Sequence, residues 1–116
     1  MPALAAAAFA TSAAAGEPVA IERADAPSVI ALLAPFLDDH PESMEGRASL
    51  TLAIEKAPDG SHLVVTIAKD GYLDDAQRGD RYRGEVVPGP EGWTLRAMTR
   101  TPICWRGEPT ARGTCP

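Results

Sequence analysis

The stretch from Lys69 to Gly79, Lys-Asp-Gly-Tyr-Leu-Asp-Asp-Ala-Gln-Arg-Gly, holds the densest set of side chains that could do chemistry. Asp70, Tyr72 and Asp74 alternate as the oxygen donors of a calcium loop do. The pattern then fails: Tyr72 brings no carboxylate, Asp75 stands where such a loop needs glycine, and Arg81 replaces the closing glutamate. Arg78-Gly79-Asp80 spells the tripeptide of integrin ligands, but three residues are a weak signal, and Asp80 is expected to enter a strand. What remains is a polar loop, Asp70 to Asp80, with turn residues at both ends and the greatest length of any connection in the sheet region. Long ordered loops on a rigid scaffold are where binding concentrates. Asp70, Tyr72, Asp74, Asp75 and Arg78 are therefore the candidate binding residues.

Catalytic groupings are not found. The adjacent carboxylates Asp38–Asp39 and Asp74–Asp75 cannot point the same way on a regular element, so neither forms an evident acid/base dyad. His40, before Pro41 at a helix end, is placed to cap carbonyls. His62 lies beside a hairpin turn and is expected to face solvent. No G-x-S-x-G, H-E-x-x-H or phosphate loop occurs. The expectation is a non-enzymatic domain with no catalytic residues, no metal and no cofactor.

Two cysteines, Cys104 and Cys115, close a short loop near the carboxyl end. In an exported chain they are expected to pair. Free thiols or a metal site are the alternatives, and a metal needs more ligands than the distant His40 and His62. Bridging about a dozen residues contributes roughly 3 kcal/mol if unstrained.

The elements that must position these residues follow from periodicity. The chain has 116 residues, 45% hydrophobic and 23% charged, with only 5% aromatic, so one domain with an aliphatic core is expected. Val19 and Ile21 could add a short edge strand. Asp25 is a candidate N-cap, with Pro27 in the first turn. Val29, Ile30, Leu33, Phe36 and Leu37 form one apolar helix face, which Pro35 should kink or split. Asp38-Asp39-His40-Pro41 ends it. From Arg47 the period changes to two: Ala48, Leu50, Leu52 and Ile54 mark a half-buried strand. Pro58-Asp59-Gly60 turns it into a second strand with Leu63, Val65 and Ile67 on one face and Val64 and Ala68 on the other. A third strand runs from Asp80 to Val87, Tyr82, Gly84 and Val86 opposing Arg81, Arg83 and Glu85. After Pro88-Gly89-Pro90-Glu91-Gly92, a fourth strand covers Trp93 to Thr99 with Trp93, Leu95 and Ala97 on one face. A bend at Thr101-Pro102 precedes a short fifth strand, Ile103 to Arg106. The predicted fold class is α+β: one N-terminal helix packed on a four- to five-stranded antiparallel meander sheet, spanning residues 16–116 as a single small domain.

Residues 1–15 carry no charge, and Ala13-Ala14-Ala15 before Gly16 has the small-x-small form of a signal-peptidase site. No Lys or Arg precedes the apolar run, which reads as a start inside a longer signal peptide. No stretch reaches the 18 or so apolar residues of a membrane span. The net charge of −5 and the lack of basic clusters interleaved with aromatics argue against nucleic acid. Charge is unevenly spread. Asp38, Asp39, Glu42 and Glu45 make an acidic patch, whereas Arg96, Arg100, Arg106 and Arg112 meet only Glu108 in the last quarter.

Leu73-Asp74-Asp75, Arg78-Gly79-Asp80-Arg81-Tyr82, Gly92-Trp93-Thr94-Leu95, Cys104 and Cys115-Pro116 together resemble a group of short exported bacterial proteins that end in a Gly-Trp strand and a two-cysteine tail. The resemblance covers about the last half of the chain. It implies export, a disulfide and a compact α+β domain, and it transfers no activity and no functional residues. The functional expectation is a periplasmic or secreted binding or interaction module that meets an envelope or extracellular protein. A secreted enzyme inhibitor is the alternative, followed by a small enzyme using a pocket between helix and sheet.

Overall fold

Residues 16–116 are described in the computed structural model; the signal-peptide-like segment 1–15 lies outside the described residues. Their order is β1 (Glu17–Pro18), β2 (Asp25–Ala26), α1 (Val29–Leu37), β3 (Ser49–Lys56), β4 (Leu63–Asp70), β5 (Gln77–Gly89) and β6 (Gly92–Cys104). The class is α+β, with one helix and a six-stranded antiparallel sheet among the described residues. Strand order is β1-β6-β5-β4-β3, and β2 also pairs with β6. The strand count exceeds the expected four to five because β1 and β2, two residues each, dock on the far side of β6. They place Glu17 opposite Arg100 and Asp25 opposite Thr94. Val19 extends the first of these contacts by donating its amide to the Met98 carbonyl at 2.9 Å.

Asp25 is thus a strand residue and not the N-cap. Ser28 takes that role: it is extended, with φ −142° and ψ 157°, and its Oγ accepts from the Ala31 amide at 3.1 Å. Pro27 therefore precedes the cap instead of lying in the first turn. Pro35 does not split α1, because it falls in the last turn, two residues before the end, where little ladder remains to lose. The buried stripe is Val29, Leu32, Leu33 and Phe36, at spacings of three and four. Ile30 falls off this stripe and is 52% exposed.

The β3–β4 hairpin pairs all eight positions without interruption, Ser49 with Asp70 through Lys56 with Leu63. Gly60, at φ +75°, supplies the left-handed residue its turn requires. β3 is less buried than a half-covered strand would be. Leu52 packs on the core, but Leu50 and Ile54 are each 41% exposed, since α1 lies over the opposite edge of the same face, against β2 and β6.

β5 is longer than expected. It begins at Gln77, so Arg78, Gly79 and Asp80 belong to the ladder and the connection shrinks to residues 71–76. β6 is likewise one strand to Cys104, with no separate fifth strand beyond a bend. Pro102 faces Asp80 within it, at a level past the β1 pairing, where β6 has no ladder on its other side among the described residues. Two one-residue bulges adjust the β5–β6 register, at Arg78 and at Arg96. The second resets the alternation, so Leu95 and Met98 both turn to the core while Ala97 does not.

The core is Ala26, Leu32, Leu33, Val65, Ile67, Val86, Leu95 and Met98. It fills the space between α1 and the inner sheet face. Burying each of the Leu, Val, Ile and Met side chains among them contributes about 1.5–3 kcal/mol relative to exposure. Beyond β6 the chain turns back, and Cys104 and Cys115 are joined in a disulfide with Cα atoms 5.4 Å apart.

Candidate functional site

Two charged regions flank β5, one on each face. On the inner face the buried phase of β4, Leu63-Val65-Ile67, continues to Lys69, and that of β5 places Asp80 before Tyr82. Both charges are buried, Lys69 at 2% and Asp80 at 7% exposure. A buried charge is tolerable only with complete partners. Lys69 Nζ donates to Asp39 Oδ1 at 2.5 Å and lies 5.0 Å from the centroid of the Tyr82 ring. Asp80 accepts from Tyr72 Oη at 2.7 Å, Gln77 Nε2 at 2.9 Å and Arg100 Nη1 at 2.7 Å. Arg100 also donates to Glu17 on β1. The Lys69 hydrogen bond holds the Asp39 carboxyl below its ordinary range. Burial, then the Asp80 carboxylate, pushes the Tyr72 hydroxyl strongly upward, and burial does the same more weakly to Tyr82.

A concave spot of about 300 Å³ adjoins this network, bordered by Asp39, His40, Glu42 and Tyr72. His40 Nε2 donates to the Ser49 carbonyl at 2.9 Å, as the expected carbonyl-capping role suggests, though the carbonyl is on β3 and not on its own helix. No three His, Cys, Asp or Glu side chains among the described residues are grouped to hold a metal ion.

The other region is the 71–76 connection and the outer face. Its five predicted residues do not converge on one point. Asp70, at the end of β4, receives two hydrogen bonds from Arg78, at 2.8 and 2.9 Å, and this pairing lowers its pKa. Arg78 sits in the bulge and its guanidinium also lies 5.8 Å from the Trp105 ring centroid. Tyr72 turns inward to Asp80. Asp74 Oδ2 accepts the amides of Ala76 and Gln77, at 3.0 and 2.6 Å, which shapes the turn and lowers its pKa; its carbonyl accepts from Trp105 Nε1 at 2.7 Å. Asp75 and the 67%-exposed Leu73 project from the tip. The Arg78-Gly79-Asp80 tripeptide is locked into the sheet: a Cβ on Gly79 would come within 1.9 Å of the Lys69 carbonyl oxygen.

Past Gly79 the outer face of β5 carries Arg81 and Arg83, exposed and without an ion pair among the described residues. Their lateral neighbours are Ala68 and Thr66 on β4 and Thr101 and Thr99 on β6, which keep the surface low. Of the arginines singled out in the last quarter, Arg96 pairs with Glu85 at 2.8 Å and Arg100 pairs with Asp80 and Glu17, while Arg106 and Arg112 are exposed and enter no ion pair among the described residues. Lys69, Asp80 and Arg100 were missed as an interacting set. The available signal was a charge falling on the buried phase of an otherwise apolar alternation.

Comparison with known protein families, characterised proteins and solved structures finds no match.

Proposed function

We propose that this chain is a non-enzymatic binding module of the bacterial envelope, periplasmic or secreted, that takes an acidic protein partner on the open face of its sheet. One observation carries the reading. Arg81 and Arg83 stand two residues apart on that face and enter no ion pair among the described residues, whereas Lys69 and Arg100 are ion-paired on the inner side. Residues two apart on a strand lie about 6.6–7 Å apart on one face. That is the spacing at which alternate carboxylates of an extended acidic segment recur, and the low Thr and Ala neighbours leave room for it. Of the loop residues, Asp70 and Arg78 border the face, with Trp105 beside Arg78, and Asp74 and Asp75 lie in the adjoining turn, while Tyr72 turns to the inner side. The disulfide and the export-type leader pattern support an oxidising compartment; no helix among the described residues is long and apolar enough to cross a membrane. The inhibitor alternative draws on the 71–76 connection, whose braced turn presents Leu73 to solvent as an inhibitory loop must.

The test is cross-linked capture from an envelope fraction, comparing the native chain with Arg81→Glu/Arg83→Glu and with Asp74→Asn/Asp75→Asn. Loss of the captured partner with the arginine variant supports the open face. Loss with the loop variant alone moves the site to the loop, and capture unchanged in both sinks the proposal.

A further inference from the structure

The two edges of the sheet are finished differently. At the β6 edge, β1, β2 and the disulfide-closed tail cover the strand. At the β3 edge no strand does among the described residues, and His40 reaches only the carbonyl of the strand's first residue, Ser49. Natural edge strands are blunted by proline, lysine, bulges, inward-pointing charge or brevity. Ser49-Leu50-Thr51-Leu52-Ala53-Ile54 has none of these: it is uncharged, unbulged and paired along its whole length on one side only. Its core-side residues Leu50, Leu52 and Ile54 form an apolar row that leaves the first and last each 41% exposed.

We propose that β3 is a homodimer interface, with a second copy of the chain adding its own β3 antiparallel, two-fold related about Leu52. The row is self-complementary in that register. Leu50 faces the partner's Ile54, Leu52 faces the partner's Leu52, and Thr51 faces the partner's Ala53. Directly opposed side chains lie about 4.5–5.5 Å apart, close enough for each apolar pair to shield the other from water. The charges agree as well. Ser49 faces the partner's Glu55, which brings Arg47, two residues earlier, diagonally beside that carboxylate. Arg47 and Glu55 are exposed and take part in no ion pair among the described residues of their own chain. The two-fold axis makes this contact twice. The axis stands perpendicular to the joined sheet, so both helices fall on one side and both arginine faces on the other. The inference is independent of what those faces bind.

Sedimentation of the purified, oxidised protein over a concentration series tests it, with the variants Arg47→Glu, Glu55→Arg and the swapped double. The native chain should dimerise. Each single reversal converts two attractive pairs into repulsive ones and should raise the dissociation constant about tenfold. The double variant should restore it. All three substitutions lie on exposed side chains, and far-UV circular dichroism checks that the fold is kept. A chain monomeric throughout overturns the proposal. So does a dimer that ignores the single reversals, or one that both weaken and the double fails to restore.

Discussion

Asp80 and Arg81 are neighbours on β5, and so are Tyr82 and Arg83, yet the two faces of that strand treat charge oppositely. Asp80, facing the core side, is nearly dry and takes three hydrogen bonds. Arg81 and Arg83, facing out, enter no ion pair among the described residues. Removing a charge from water costs several kcal/mol, so the inner face accepts one only within a completed network. On the outer face water completes the hydrogen bonds, and an unpaired arginine costs the fold almost nothing. The strand's own phase therefore separates charges that hold the structure from charges left available to a ligand.

The strongest way to break this contrast is Asp80→Ala. It strips a carboxylate from Arg100, Tyr72 and Gln77 together and should destabilise the protein by about 3–5 kcal/mol, measured by urea unfolding. A loss no greater than that of Arg81→Ala would remove the distinction between faces. Next, replacing both cysteines by serine should cost about 3 kcal/mol, read as a fall in Tm, because the eleven-residue separation closes a short loop.

Acid probes the carboxylates on both sides. Asp39, Asp70 and Asp74 all titrate below their unfolded value in the folded chain. Their contribution is complete above about pH 4 and is lost as pH falls through the depressed folded values. Unfolding free energy should decline over that window, and Asp39→Asn should flatten the decline. The Asp39 carboxylate is 74% exposed, so screening limits the difference to about 1 kcal/mol or less. The smallest expected effect is the most telling for function. Arg81→Gln/Arg83→Gln should change stability by no more than about 0.5 kcal/mol while abolishing capture of the acidic partner.

Much of the frame was legible before any coordinates. The four long strands, the hairpin turn and the opposed faces of β5 follow from alternation and turn chemistry, and the Cys104–Cys115 pairing from two nearby cysteines in a chain read as exported. The parts that escaped share a cause: they are set by backbone pairing over long distances. A two-residue strand such as Glu17–Pro18 has no period to detect. The bulge at Arg96 leaves only an odd spacing of Leu95 and Met98. Arg78-Gly79-Asp80 looked like loop because a charge, a glycine and a charge resemble turn chemistry. In the sheet, the glycine is there because the Lys69 carbonyl leaves no room for a side chain. The candidate site was legible as a segment, but its residues divide between the two faces, and sequence spacing alone does not carry that division.

The docking of β1 and β2 on β6 also fixes an order in time. Asp25 waits for Thr94, 69 residues later, and Glu17 waits for Arg100, 83 residues later. A chain made from its amino end can close the β3–β4 hairpin early, but the first strands and the cover for α1 exist only once the last long strand has emerged. Long-range closure of this kind is intrinsically late. Until that moment the leading part of the molecule stays open.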